Sequence, residues 1–110
     1  DEGPYQLVPR PVDVVMCGAF NMLPGSEEYD ALLAPLAQGS THLSDAWSLV
    51  FPDSPHEATC GIHDHSQWPQ GPHCRDYFFV AGQCKDHLRG VTVNTETIAS
   101  DHQPVMIELA

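Results

Sequence analysis

Three short clusters carry side chains able to do acid–base or ligating chemistry: Gly18-Ala19-Phe20-Asn21, Arg75-Asp76-Tyr77 and Ser100-Asp101-His102. Each sits at the end of a strand-like run or in the turn after it, where function is often carried. Taken singly, each has a plain explanation. His102 beside Asp101 reads as a surface histidine capped by its neighbour. Asp76 reads as a partner for Arg75 or Arg89, worth little in an exposed pair, and Asn21 as a turn residue at a strand end. A rival constellation is Cys60, His63, His65, His73 and Cys74, which offers enough soft ligands for a tetrahedral zinc ion but matches no standard zinc spacing.

Strands and turns must present these residues. Val12 to Cys17 is a continuous β-branched run, as in a strand buried on both faces, and Gly18 ends it before the turn Asn21-Met22-Leu23-Pro24-Gly25. Ser26 is placed as an N-cap with Glu27 and Glu28 in the first turn. Tyr29, Leu32, Leu33 and Leu36 then predict one amphipathic helix ending near Gly39, with Pro35 positioned to kink or shorten it. Leu43 to Trp47 is a short helical or irregular connector leading to the proline-rich stretch from Phe51 to Pro55. Glu57 to Ile62 is a short strand candidate, and His63 to Pro72 is a loop whose His63, His65 and Trp68 are placed to border a cleft. Further strands are expected at Cys74 to Val80, Val91 to Thr95 and Val105 to Leu109, with a turn from Ala99 to Pro104.

Residues 1–11, with three prolines, read as a leading loop, so the domain spans 12–110. The order of elements fits an α+β fold with a mixed sheet and one main helix. A single helix covers one sheet face. The second face is therefore expected to be covered by a partner half-domain or a second copy, since an open apolar face marks an interaction surface.

A chain of 110 residues holds one domain, and 42% hydrophobic residues in compact runs are a globular composition. Four Lys plus Arg against fifteen Asp plus Glu give a net charge of −11 with no basic patch. That argues against tight non-specific nucleic-acid binding. It suits a divalent-cation site, or simply solubility. The longest apolar runs are about five residues, against the roughly twenty that span a bilayer, so no membrane association is expected, and Asp1-Glu2-Gly3-Pro4 lacks a signal-peptide pattern. Cys17, Cys60, Cys74 and Cys84 form no dense scaffold and lie in or beside apolar segments, which favours free thiols in a reducing, cytoplasmic compartment. The alternative is a Cys60–Cys74 disulfide, allowed only if the two Cα atoms come within about 7 Å.

The three clusters, in this order and these settings, resemble the carboxy-terminal motifs of the endonuclease/exonuclease/phosphatase family, the DNase I-like fold. In that family a buried strand ends in Gly-Asp-Phe-Asn and is followed by a Pro-Ser helix with a tyrosine and leucines. Asp-Ala-Trp comes next, then a strand bearing Arg-(Ile)-Asp-Tyr, and Ser-Asp-His before the last strand. Here Asp45-Ala46-Trp47, Arg75-Asp76-Tyr77-Phe78-Phe79-Val80 and Ile98-Ala99-Ser100-Asp101-His102-Gln103-Pro104-Val105 match. The likeness runs from Val12 to Leu109.

The resemblance implies half of a DNase I-like sandwich and a metal-dependent phosphodiesterase or phosphatase. It implies that His102 acts at the phosphate and the attacking water, that Asp76 orients its ring, that Asn21 bonds the phosphate or the water, and that Asp101 faces a Mg²⁺ (or Mn²⁺) ion. Further ligands would come from an amino-terminal half. Such chemistry needs a metal to neutralise phosphate oxygens and a positioned base for water. Ala19 departs from the pattern, standing where the family has the aspartate that activates water. Loss of a positioned base typically removes about 10²- to 10⁴-fold in rate, so even with an amino-terminal half the protein is expected to be slow, and the chain alone, holding half of the site, is expected to be inactive. The competing expectation is a non-catalytic binding or self-association module of the same fold. A small phosphoester is the expected substrate class, ahead of nucleic acid.

Overall fold

A computed structural model of the chain describes residues 12–35 and 42–110. The leading loop expected at 1–11 and the helix end expected near Gly39 lie outside the described residues. Among the described residues the elements in chain order are β1 (Val14–Ala19), α1 (Glu27–Leu33), β2 (Ser44–Asp45), α2 (Ala46–Val50), β3 (Asp76–Ala81), α3 (Gln83–His87), β4 (Leu88–Val93) and β5 (Val105–Leu109). The architecture is α+β. Its strands form two antiparallel sheets, ordered β1-β3-β2 and β4-β5, in place of the expected mixed sheet.

β3 organises the molecule. Its residues alternate apolar contacts to two sides, as the two-residue period of a strand requires. Tyr77 and Phe79 join Met22 and Tyr29, with Met16, Phe20, Leu32 and Leu33 around them. Phe78 and Val80 pack with Ala46, Trp47, Leu88, Val91, Val105 and Ile107. Phe79 and Val80 are fully buried, and burying such a side chain contributes about 1.5–3 kcal/mol each. The second sheet face is thus covered over β3 by α2 and the β4–β5 ribbon from within the chain. Over β1 no described element covers it, and Val15, Cys17 and Ala19 are exposed.

β1 differs from the strand buried on both faces that its β-branched run predicts. Among the described residues it is a sheet edge, paired only with β3, and Val15, Cys17 and Ala19 are exposed while Met16 packs into the core. The cover supplied by β4 and β5 ends at β3, which explains the difference. α1 is capped as expected, with Ser26 Oγ accepting from the Tyr29 backbone N–H at 3.3 Å, but it stops at Leu33. Ala34, immediately before Pro35, is extended at φ −73° and ψ 142°, the conformation that a following proline imposes. Pro35 therefore ends the helix.

α3 was not signalled by periodicity. It is one tight turn joining β3 to the second sheet, entered through Gly82 at φ 65°. A Cβ there would collide with the Val12 carbonyl, so the position requires glycine. Asp13 accepts from the Gln83 N–H at 2.7 Å and ties this turn to the start of β1.

A buried carboxylate locks β2 to α1 and α2. Asp45 is 3% exposed. It accepts from the Tyr29 hydroxyl at 2.7 Å, from the Trp47 backbone N–H at 3.0 Å as the N-cap of α2, and pairs with His56 Nε2 at 2.5 Å. The His56 ring lies among Tyr29, Trp47 and Tyr77.

Candidate functional site

Asp76 is the first residue of β3, and its Cα partner across the sheet is Ala19, the last residue of β1. Directly opposed residues of antiparallel strands point to the same face, so the Ala19 methyl and the Asp76 carboxylate share one surface. Both line a recess of about 230 Å³ with Cys17, Phe78, Gln103 and Val105. The pairing extends one residue further through Phe20 N–H to the Arg75 carbonyl at 2.8 Å. Asn21 then accepts from the Arg75 guanidinium, and the turn behind it is pinned by the Tyr77 hydroxyl donating to the Met22 carbonyl at 3.1 Å.

His102 reaches Asp76 from a bend before β5. Its backbone N–H donates to Ser100 Oγ at 3.1 Å, and Gln103 N–H donates to the Thr59 carbonyl at 2.7 Å. The segment from Glu57 to Ile62, expected to be a strand, forms none: it is irregular, with single bridges from Cys60 to His73 on one side and His102 on the other. Three distant stretches of chain are thereby laid side by side. Gly61, at φ 76°, allows the close passage of the Gly71 carbonyl that closes the base of the 62–70 loop.

The resulting geometry is compact. His102 Nδ1 lies 2.9 Å from each Asp76 carboxylate oxygen, and an N–H there donates to both. Thr59, 1% exposed, donates its hydroxyl to Asp76 Oδ2 at 2.6 Å and accepts from the Arg75 and Asp76 backbone N–H groups at 2.9 and 3.2 Å. Asp76 is therefore oriented from two sides. The His102 ring meets the edge of Trp68 at 5.7 Å, and the Arg75 guanidinium stands 5.2 Å over the same indole.

Cys60 Sγ, the Asp76 carboxylate and the His102 ring nitrogens lie within 4.8 Å of one another and could hold a metal ion. Asp101, which the resemblance makes a metal ligand, does not join them. Successive side chains of an extended segment point to opposite sides. Asp101 opens onto a separate cleft of about 420 Å³ lined by His63, Asp64, His65, Ser66, Ile98 and Gln103. There Asp64 is held below the usual carboxylate range by bonds from the Gln67 N–H and the Ser66 hydroxyl.

The alternative zinc set of Cys60, His63, His65, His73 and Cys74 does not converge. His63 Nε2 bonds the Thr95 carbonyl at 2.8 Å. Both His73 nitrogens are committed, Nδ1 to the Gly71 carbonyl at 2.7 Å and Nε2 to Arg75 Nε at 2.8 Å. The Cys74 thiol donates to the Asp76 carbonyl at 3.5 Å. All four cysteines are free, so Cys60 and Cys74 form no disulfide.

No protein-family description, no curated protein and no solved structure matches the chain. Among the described residues no helix is long and apolar enough to cross a membrane.

Sequence reasoning did not find Thr59, which fixes Asp76, or His56, which pairs with Asp45. Neither stands in a periodic run or a motif, and only the folded contacts reveal them.

Burial pushes the Cys60 thiol up to about 11, helped by the neighbouring Asp76 carboxylate, and burial does the same to Cys74. Burial also raises Tyr29, with the Asp45 bond adding to it, and Tyr77. A thiol with a raised folded-state pKa binds its proton more tightly when folded than when unfolded. Stability is then fully present below the unfolded value near 9.0 and falls as pH rises toward about 11. Urea midpoints under reducing conditions are expected to hold level from pH 7 to about 8.5, the ordinary thiol pKa, and to fall above it. A Cys60→Ala/Cys74→Ala variant should show a shallower fall.

Proposed function

We propose that this chain is the carboxy-terminal half of a metal-dependent phosphoester hydrolase of the DNase I-like fold. The observation that carries the reading is the Asp76–His102 pair, bonded at 2.9 Å and formed by residues from two of the three motif clusters. Ala19 stands opposite Asp76, and Asn21 is tied to Arg75 beside it.

In this reading Thr59 holds Asp76, and Asp76 fixes the His102 tautomer with its proton on Nδ1. Nε2 is then left to take a proton from water or to bond a phosphate oxygen. His102 is the catalytic residue, and Asp76 and Thr59 are positioning residues. Asn21 supplies an amide at the rim. A bound divalent cation would supply neutralisation of the phosphate oxygens.

The cluster of Cys60, Asp76 and His102 does not suit magnesium, which takes oxygen ligands in near-octahedral geometry, and no step is assigned to a metal there. Asp101, the oxygen donor the resemblance assigns to magnesium or manganese, opens onto the neighbouring cleft, so the ligands of a metal at the phosphate would have to come from the amino-terminal half. The net charge of −11 favours a small phosphoester over a nucleic acid.

The test is hydrolysis of bis(p-nitrophenyl) phosphate by the full-length polypeptide with magnesium. His102→Ala should lower the rate by about 10²- to 10⁴-fold, and Asp76→Asn should lower kcat with little change in KM. Hydrolysis that is unaffected by His102→Ala would remove the basis of the assignment.

A second reading, a non-catalytic self-association module of the same fold, draws on the open face over β1, where Val15 is 43% exposed. A second copy would cover that face in place of the amino-terminal half.

A further inference from the structure

We propose that Cys60, Asp76 and His102 form a binding site for zinc, and that its occupation withdraws His102 from its pairing with Asp76. The existence of the site is independent of the hydrolase reading. Its consequence, inhibition, rests on that reading.

The three donor atoms already form a triangle close to the size a zinc ion requires. The Sγ of Cys60 lies 3.4 Å from His102 Nδ1 and 3.7 Å from Asp76 Oδ2, and Nδ1 lies 2.9 Å from the carboxylate. Zinc bonds of about 2.3 Å to sulfur and about 2.0–2.2 Å to nitrogen and oxygen, at tetrahedral angles, set ligand atoms roughly 3.4–3.6 Å apart. Two edges of that triangle are already near this size. Only the Asp76–His102 edge must open, by about 0.5 Å on the same bond lengths.

The donors are also the right kind. A thiolate, an imidazole and a carboxylate are a borderline-soft set that favours zinc over magnesium. The frame that holds them is rigid on two sides. Cys60 is bonded to the His73 backbone in both directions at 3.0 Å, and Thr59 clamps the carboxylate. The His102 side chain is 31% exposed and the Asp76 side chain 15%, so an ion can approach from the His102 side and keep a water as its fourth ligand.

Binding replaces the Cys60 thiol proton, which leaves to solvent. The imidazole proton moves from Nδ1 to Nε2, so His102 stays neutral. Nε2–H can then no longer accept a proton, and the ring is bound to metal where it had been bonded to Asp76.

The experiment is a cobalt(II) titration of the full chain under a non-thiol reductant, followed by visible and near-ultraviolet absorption. Expected are saturable tetrahedral d–d bands with a thiolate-to-cobalt charge-transfer band, bleached by an equimolar amount of zinc. Cys60→Ser should remove the charge-transfer band. His102→Gln, at a partly exposed position, should weaken binding at least tenfold. A Cys17→Ala/Cys84→Ala variant should behave as the parent. Circular dichroism reports whether each variant is folded.

Absence of the bands in the folded parent, their persistence in Cys60→Ser, or unchanged affinity in folded His102→Gln overturns the proposal. In the full-length polypeptide, zinc should suppress magnesium-supported phosphodiester hydrolysis, and a zinc-selective chelator that leaves magnesium in place should restore it. Binding without any hydrolysis sinks the functional reading and keeps the site. Hydrolysis without binding does the reverse.

Discussion

Ala19→Asp in the full-length polypeptide is expected to raise hydrolysis of bis(p-nitrophenyl) phosphate by about 10²- to 10⁴-fold, the range typical of a restored acid–base group. Ala19 closes β1 and is exposed, and its Cα partner is Asp76. Opposed Cβ atoms in such a pair lie about 4.5–5.5 Å apart. A carboxylate at position 19 would therefore stand beside the Asp76–His102 pair without displacing buried atoms.

The cost is a second negative charge opposite the first, worth about 0.2–1 kcal/mol of stability in a cross-strand pair. The variant should be slightly easier to unfold and much faster. Rates measured beside a circular-dichroism spectrum separate the two effects. A folded variant with no gain in rate would favour the binding-module reading.

The largest stability effect is expected at Asp45. Asp45→Ala removes the acceptor for the Tyr29 hydroxyl, the partner of His56 and the cap of the Trp47 N–H together. Breaking a buried pair by deleting one partner costs about 3–5 kcal/mol, against a total of roughly 5–15 kcal/mol for a small domain. Urea unfolding should show a midpoint lowered by a large fraction of its parent value. Asp45→Asn keeps one acceptor oxygen and should lose less. A coupling of about 0.5–3 kcal/mol between Asp45→Ala and His56→Ala is expected in a double-mutant cycle. If Asp45→Ala unfolds at the parent midpoint, Asp45 does not lock β2 to the helices.

How far these features were legible in the sequence depends on whether a local signal carried them. β5 runs from Val105 to Leu109 as expected, and the Ser26 cap starts α1 where expected. Strand periodicity says which face a residue takes but not which strands pair. The two-sheet arrangement was therefore hidden, and so was α3, a single turn too short to show a helical period. β1 misled for a related reason. A run of Val and Met reads as buried, yet a strand with a neighbour on one side and no cover on one face is half exposed.

Asp76 and His102 stood out only as parts of ordered motifs, because nothing local links positions 26 apart. Thr59 had no signal at all. Its role depends on two isolated bridges that place an irregular segment between two others. Asp45 was part of a motif, but a charged side chain is read as solvent-facing unless its partners are known.

The two halves of the Asp76–His102 pair are anchored very differently. Asp76 opens the strand whose Phe79 and Val80 are fully buried and flanked by strands on both sides. His102 hangs from a bend held by one bridge, a serine hydroxyl and its neighbour's contact with Thr59. Structure of the first kind opens only when the whole domain unfolds, and structure of the second kind opens in local fluctuations. The carboxylate therefore behaves as a fixed post and the imidazole as a latch. Once its bond to Asp76 is broken, the histidine has less backbone structure holding it in place than the carboxylate has.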